Sequence, residues 1–185
     1  HLESTLALRP RLVFCEKPVT GDVTQTAHWV DRFEQEGVLL AVNHTRRWAP
    51  DIVQLRDELR DGTWGTLRSA SGRYNKGVLN NGGHLVDLLH FLLGPVEVLA
   101  AAAPVHDFWD DDPTIPALLR TADGVPVQLN VAHAADYALF ELELVTSRAV
   151  LAMEDGGLQW RVRKGAESPH FKGYRSLDAG ERRAG

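Results

Sequence analysis

Residues 82–94 read GGHLVDLLHFLLG, and this stretch predicts a buried helix from Gly83 to Leu93. Its leucines recur at spacings of three and four residues, which places them on one face of an α-helix. Gly94 and Pro95 follow, and they end the helix because proline cannot continue it. The leucines of the predicted buried face are Leu85, Leu88, Leu89 and Leu92.

The chain after this helix predicts a sheet of short strands. Asp-Gly dipeptides at 123–124 and 155–156 are typical of turns between strands. No long helix interrupts the runs, which favours a mainly antiparallel open sheet with flanking helices, the α+β arrangement. We expect the polar residues 165–185 to have little regular structure. The predicted strands are Val96–Ala103, Ile115–Thr121, Val125–Ala132, Leu139–Val145, Ala149–Met153 and Leu158–Val162.

The chain before the helix begins with a different pattern. Residues 11–42, RLVFCEKPVTGDVTQTAHWVDRFEQEGVLLAV, predict a strand, a helix over Asp22–Glu36 and a second strand. Such a βαβ unit joins buried parallel strands and is typical of doubly wound α/β domains. Because one unit is too small to fold as a domain, we interpret residues 1–44 as the C-terminal part of a Rossmann-like dinucleotide-binding domain. Residues 45–185, with a strand predicted over Leu67–Tyr74, then form the α+β domain.

Composition argues against several classes of partner. The chain has 185 residues, of which 44% are hydrophobic and 24% charged, as in a globular protein. Its net charge of -5 disfavours a nucleic-acid surface, which needs a basic stripe. No apolar run approaches the roughly 20 residues that span a bilayer, and the first residues do not resemble a signal peptide. Cys15 is the only cysteine, so the sequence has no cysteine-based zinc site, and we expect a cytoplasmic protein. Taken together, these features predict no nucleic-acid, membrane or metal partner.

Charged residues directly follow both strands of the predicted βαβ unit. Glu16 and Lys17 come after the first strand, and Arg46 and Arg47 follow the second within NHTRRW, residues 43–48. Ligands of open α/β sheets bind beyond the carboxyl ends of the strands, and arginines neutralise phosphates or carboxylates. The sequence therefore predicts a cofactor-binding edge that includes Arg46. Solvated surface charges would give the same pattern.

The residues around the central helix predict a second site. His84 lies in the first predicted turn, where the positive end of a helix favours the neutral imidazole that accepts a proton. Asp87 follows three residues later on nearly the same face, and Asn80 precedes the two glycines. Tyr74 and Lys76 come shortly before. We expect these side chains to bind a polar substrate; the alternative is that His84 and Asp87 only cap and pack the helix.

Three motifs in this order resemble the Gfo/Idh/MocA oxidoreductases: CEKP at 15–18, then NHTRRW, then GGHLVDLLHFLLG. Proteins of that family combine an N-terminal dinucleotide-binding domain with a C-terminal domain built on a large open sheet. The resemblance implies that Lys17 contacts both substrate and nicotinamide and that Glu16 lies on the cofactor side. It also implies that His84 accepts the proton of the substrate hydroxyl.

The resemblance implies an oxidoreductase that transfers hydride between NAD or NADP and a sugar or cyclic polyol. Inositols, aldoses and nucleotide sugars are all open as substrates, and homo-oligomers are expected through the open sheet. The family's glycine-rich phosphate loop is missing from this sequence, whose only methionine is Met153. We therefore expect a piece of a longer protein, cut at both ends and inactive by itself.

Asn80 stands where the family pattern has an aspartate, and two rival functions stay open. The first is a catalytically idle sugar-binding or assembly subunit with the same fold. The second is a single-domain binding module that uses no cofactor.

Overall fold

The computed structural model describes residues 1–185 as two compact units, His1–Thr45 and Arg46–Gly185. In the first unit the strand–helix–strand order predicted from the sequence is present, and its two strands pair in parallel. A short helix that we did not predict precedes them. The elements are helix α1, Leu2–Ala7, strand β1, Leu12–Glu16, helix α2, Val23–Gln35, and strand β2, Leu39–Asn43.

Helix α2 buries a single row of side chains. Phe33 is 1% exposed and packs with Leu6 and Val38. Val23 and Val30 are 82% and 45% exposed, although both lie at helical spacing from Phe33. A sheet of only two strands is narrow, so it covers one row of a helix and leaves the neighbouring rows in solvent.

The second unit is a nine-stranded sheet with two helices packed on it. The strands run in the order β10-β9-β8-β7-β3-β6-β5-β4, and β11 also pairs with β9. The helices are α3, Pro50–Arg60, and α4, Gly83–Leu93. The strands are β3, Leu67–Tyr74, β4, Val96–Ala101, β5, Ala117–Thr121, β6, Pro126–Val131, β7, Phe140–Thr146, β8, Ala149–Glu154, β9, Gln159–Glu167, β10, Arg175–Leu177, and β11, Glu181–Ala184.

The pairing in this sheet is antiparallel with one exception. Strands β3 and β6 are parallel neighbours, and every other pair in the sheet is antiparallel, which confirms a mainly antiparallel sheet with flanking helices. The expectation of little regular structure in residues 165–185 is wrong, because β10 and β11 both pair with β9. An edge strand offers unpaired N–H and C=O groups, which a polar segment can pair with as readily as an apolar one.

Helix α4 is fixed by its apolar face. Its bounds are those predicted, and Leu85, Leu88, Leu89 and Leu92 are at most 4% exposed. They belong to the same core as Leu142 and Leu144 of β7. Burial of each leucine contributes roughly 1.5–3 kcal/mol, so four of them hold the helix against the sheet without help from its ends.

Candidate functional site

In the first unit, charged and polar side chains meet where the two parallel strands end. Glu16 and Asn43 are register partners at the last pair of β1 and β2. Asn43 Nδ2 donates to Glu16 Oε1 at 2.7 Å, which orients that carboxylate. Lys17 follows immediately, and the Lys17–Pro18 peptide bond is cis. The predicted edge residues Glu16 and Lys17 therefore lie at the carboxyl end of β1.

In the second unit, a further helical turn that the sequence did not predict precedes helix α4. A π-helical turn, Gly77–Gly82, runs directly into it, and Gly82 already has right-handed helical angles, φ -57 and ψ -42. Lys76, just before this turn, has left-handed angles of φ 61 and ψ 48. His84 is the second residue of α4, but the helical segment already begins at Gly77. The prediction that His84 lies at the positive end of the helix is therefore wrong.

The backbone N–H groups at the start of this helical segment bind a distant loop. Gly77 N donates to Thr114 Oγ1 at 2.9 Å, and Val78 N donates to the Pro113 carbonyl at 3.0 Å. Leu79 N and Asn80 N donate to the two carboxylate oxygens of Asp112, at 2.8 and 3.0 Å. A helix start has N–H groups without intrahelical partners, and here a loop from elsewhere in the chain satisfies them. We call residues 105–114 the clamp loop.

Asp107 holds the same region from the other end of the clamp loop. Its carboxylate accepts from Lys76 N at 2.9 Å, from Thr114 Oγ1 at 2.6 Å and from Ala134 N at 3.2 Å. Burial by itself would raise the pKa of Asp107, but these hydrogen bonds to the charged form outweigh it and lower that pKa below its ordinary value. The ionised carboxylate is thus part of the folded structure.

Because the pKa of Asp107 is lowered, the free energy of unfolding depends on pH in the acidic range. A carboxyl whose pKa is lower in the folded than in the unfolded state stabilises the fold fully above the unfolded pKa, about 3.9. That contribution is lost as the pH falls through the lower folded pKa. The free energy of unfolding, measured with urea, should therefore exceed that of the Asp107→Asn variant most above about pH 5. A difference that stays constant down to about pH 2 would contradict this assignment.

Asp87, on α4, is bound by an arginine. Arg47 donates from Nε to both carboxylate oxygens, at 3.0 and 2.9 Å, and from a terminal nitrogen at 2.7 Å. The hydrogen bonds to Asp87 raise the pKa of Arg47. A bidentate pair of this kind fixes the direction of both side chains.

Arg46 is engaged within the second unit. Its guanidinium lies 3.9 Å from the ring centroid of Phe140, and a terminal nitrogen donates to the Gly156 carbonyl at 3.0 Å. Burial lowers the pKa of Arg46.

Among the described residues, no group of three or more His, Cys, Asp or Glu side chains could hold a metal ion. None of the helices has the length and apolarity needed to cross a membrane.

Two curated dehydrogenases are similar to the chain in sequence. Inositol 2-dehydrogenase from Rhizobium meliloti is 27% identical over 167 residues, which cover 78% of this chain and 50% of that protein. D-apiose dehydrogenase from Paraburkholderia graminis is 31% identical over 151 residues, which cover 71% and 40%. The chain thus spans about half the length of the curated relatives it matches. No protein-family model matches it.

Solved structures share the fold. KijD10, a 3-ketoreductase from Actinomadura kijaniata solved with NADP, has a TM-score of 0.74 at 23% identity, covering 99% of this chain and 58% of that one. WlbA dehydrogenase from Bordetella pertussis, solved with NADH and UDP-GlcNAcA, has a TM-score of 0.71 at 20% identity, covering 84% and 54%. A super-repressor mutant of Gal80p from Saccharomyces cerevisiae has a TM-score of 0.79 at 12% identity, covering 100% and 58%.

These relatives and neighbours are consistent with the C-terminal domain of the Gfo/Idh/MocA oxidoreductases, the family that the three sequence motifs resemble. The chain's mixed sheet with flanking helices matches the C-terminal domain of that family. The helix GGHLVDLLHFLLG, which carries part of the resemblance, is α4 with the end of the π-helical turn before it.

The predicted site residues lie in both compact units of the chain. Glu16 and Lys17 lie in the first unit, at the end of β1. Lys76, Asn80 and His84 lie on one continuous segment of the second unit, from the end of β3 into α4. The clamp loop binds the backbone at both Lys76 and Asn80, so one element sets the position of this segment.

The structure corrects the prediction made for Tyr74. We expected it to bind substrate, but its side chain is fully buried, at 0% exposure. Its hydroxyl donates to the Ile115 carbonyl at 2.8 Å and accepts from Ile115 N at 3.0 Å. Both roles of the hydroxyl are thus filled inside the core, and Tyr74 joins β3 to the residue that follows the clamp loop.

Sequence reasoning missed the clamp-loop residues Asp107, Asp112 and Thr114. Aspartate and threonine are the types that bind N–H groups at helix starts, and the run Asp110-Asp111-Asp112 is a visible signal. Capping patterns, however, concern a residue next to the helix in sequence. Asp112 is 32 residues away from Asn80, so no local pattern connects them.

The Arg47–Asp87 pair gives a stability prediction. Asp87→Asn should lower the free energy of unfolding by about 1–2 kcal/mol, because charge-assisted hydrogen bonds to a largely buried carboxylate are lost. The Asp87 side chain is 12% exposed, whereas Arg47 is 41% exposed and regains water. The matched control is Asp57→Asn, whose ion pair with Arg56 has the carboxylate 59% exposed. It should change stability by less than about 0.5 kcal/mol, and equal effects of both variants in urea unfolding would refute the assignment.

Proposed function

We propose that the intact protein is an NAD- or NADP-dependent dehydrogenase acting on a sugar or cyclic polyol. The observation that supports this most is that the sequence contains both the lysine and the histidine of the family's motifs, Lys17 and His84, in a chain whose curated relatives are inositol and D-apiose dehydrogenases. In this proposal residues 1–44 are the C-terminal part of a Rossmann-like domain. Residues 45–185 are the substrate-binding and oligomerisation domain.

The residues at the end of β1 fit the nicotinamide half of a dinucleotide. The exposed Glu16 carboxylate is oriented by Asn43 and is an acceptor for cofactor hydroxyl or amide groups. Lys17 beside it supplies a cation. The sequence contains no GxGxxG turn for a pyrophosphate, so the fit concerns only that half. Arg46, with five N–H donors of which one binds Gly156, is the proposed contact to a cofactor phosphate.

The chemistry follows from the residue types. When bound, the nicotinamide exchanges a hydride at its C4 with the substrate carbon. His84 accepts the proton of the substrate hydroxyl as general base. Lys17 supplies the positive charge that stabilises the developing alkoxide. Lys76, Asn80 and Asp87 bind the remaining hydroxyls of the substrate, with Asp87 oriented by Arg47.

A catalytically idle sugar-binding subunit is the alternative. Asn80 in place of the family's aspartate favours it, and so does a fold likeness to a protein described as a repressor mutant. An amide at this position has no charge to offer a protonated histidine. In that reading the sugar would bind without being oxidised.

Steady-state kinetics of the intact protein test the proposal. Myo-inositol, D-apiose, common aldoses and a nucleotide sugar are each offered with NAD⁺ and with NADP⁺, and formation of reduced nicotinamide is followed by absorbance. Turnover of at least one of them supports the dehydrogenase. Calorimetric binding of a sugar without turnover under either cofactor would establish the idle subunit instead.

Homo-oligomerisation and a cytoplasmic location belong to the same proposal. The edge strand β4 exposes Val98 and Leu99 at 61% and 47%. Such apolar exposure on an open sheet is typical of surfaces that associate. Sedimentation of the intact protein measures the oligomeric state.

A further inference from the structure

We propose that Asp112 is a positioning residue for the proposed reaction, because its carboxylate sets the π-helical turn that carries Asn80 and runs directly into the start of α4, where His84 lies. This inference rests on the proposed function. It assigns a task to a residue that touches neither substrate nor cofactor in the scheme above.

Asp112 contacts the turn through both of its carboxylate oxygens, and the residue is buried. Oδ1 of Asp112 accepts from Leu79 N at 2.8 Å and Oδ2 accepts from Asn80 N at 3.0 Å. The residue is 9% exposed. A carboxylate that accepts two adjacent N–H groups with separate oxygens fixes both the position and the rotation of that peptide pair.

The turn is shaped around this carboxylate. Gly77 has φ 84, in the left-handed region, and a Cβ added there would collide with Asp112. Only glycine leaves room for the carboxylate at this point. The neighbouring N–H groups of Lys76 and Gly77 are held by Asp107 and Thr114 of the same clamp loop. The geometry of the turn is therefore defined by the clamp loop, which is distant from the turn in the sequence.

Helix stability and turn geometry have separate origins here. The body of α4 is anchored by four leucines at most 4% exposed, including Leu85, the residue directly after His84. Loss of the Asp112 carboxylate therefore leaves α4 and His84 seated and releases only the turn that carries Asn80. In the scheme above Asn80 binds a substrate hydroxyl, and a misplacement of the substrate by about 1 Å can cost about 100-fold in rate.

The test is Asp112→Asn in the intact enzyme. Asparagine keeps the shape and one acceptor oxygen but turns an NH₂ group toward one of the two N–H donors. We expect kcat to fall by about 10-fold or more, with KM for the dinucleotide unchanged. We also expect amide hydrogen exchange at Leu79 and Asn80 to be about 10-fold faster or more, while exchange at Leu88 and Leu89 stays the same.

The matched control is Asp111→Asn, which removes the same charge from the adjacent exposed position. It should change neither kcat nor the exchange of Leu79 and Asn80. Equal effects of both variants would show a loss of general negative charge and overturn the inference.

Other outcomes also decide the question. Unchanged exchange at Leu79 and Asn80 in Asp112→Asn would show that the carboxylate does not hold the turn. Faster exchange with unchanged kcat would show a structural role only. If the wild-type intact protein turns over no sugar, the proposed function fails, and the catalytic part of this inference fails with it. The exchange measurement still reports separately whether Asp112 holds the turn.

Discussion

Replacement of Lys17 by alanine in the intact protein is expected to lower kcat by about 100-fold or more while changing KM for the sugar much less. An ammonium aimed at a developing alkoxide interacts more strongly with the transition state than with the neutral hydroxyl of the bound substrate. Its removal therefore raises the barrier of the chemical step more than it weakens substrate binding.

The position of Lys17 in the first unit is compatible with the proposed task. Lys17 directly follows β1, and the last pair of that strand, Glu16 with Asn43, is held by backbone register and by a 2.7 Å side-chain hydrogen bond. Groups on rigid strand ends keep their direction better than groups on loops. A charge in a fixed position stabilises a transition state without reorganisation.

Two further variants make the Lys17 experiment specific. Lys17→Arg keeps the positive charge but changes its shape and hydrogen-bond geometry, so it should retain more kcat than Lys17→Ala. Lys172→Ala removes an exposed lysine and should behave as wild type. If Lys17→Ala raised KM and left kcat intact, Lys17 would be a binding residue and the proposed mechanism would be wrong.

Replacement of His84 by asparagine is expected to remove most of the activity, by about 100-fold or more. Asparagine keeps hydrogen-bonding capacity at the position but cannot accept a proton at neutral pH. The acidic limb of the profile of kcat/KM against pH reports the essential base of the free enzyme. That limb should therefore be missing from the residual activity of the variant.

The same helix supplies the control. His90 is an exposed histidine on α4, whereas His84 is partly buried near its start. His90→Asn should leave the rate and the pH profile as in the wild type. If His84→Asn also left both intact, His84 would be a structural residue of the helix. Lys76 would then become the better candidate for the proton carrier, since Tyr74 is buried with its hydroxyl bound to Ile115.

Several parts of this protein could be predicted from the sequence. The periodic leucines of α4 predicted the helix and its buried face, and both bounds, Gly83 and Leu93, are as expected. The apolar runs also predicted the parallel pair β1–β2 and most strands of the large sheet. Periodicity succeeds in these cases because the face that an element buries depends on residues close together in the sequence.

Other parts were decided only by the tertiary structure. The parallel pair β3–β6, the Arg47–Asp87 pair across 40 residues and the burial of Tyr74 depend on which distant segments become neighbours. The start of the helical segment belongs to this group as well, because Asp107, Asp112 and Thr114 reach it from a separate loop. Unpaired N–H groups at a helix start donate to any suitable oxygen that the fold brings near. The sequence thus determined the buried face of α4, and the folded chain determined which carboxylate holds the turn before His84.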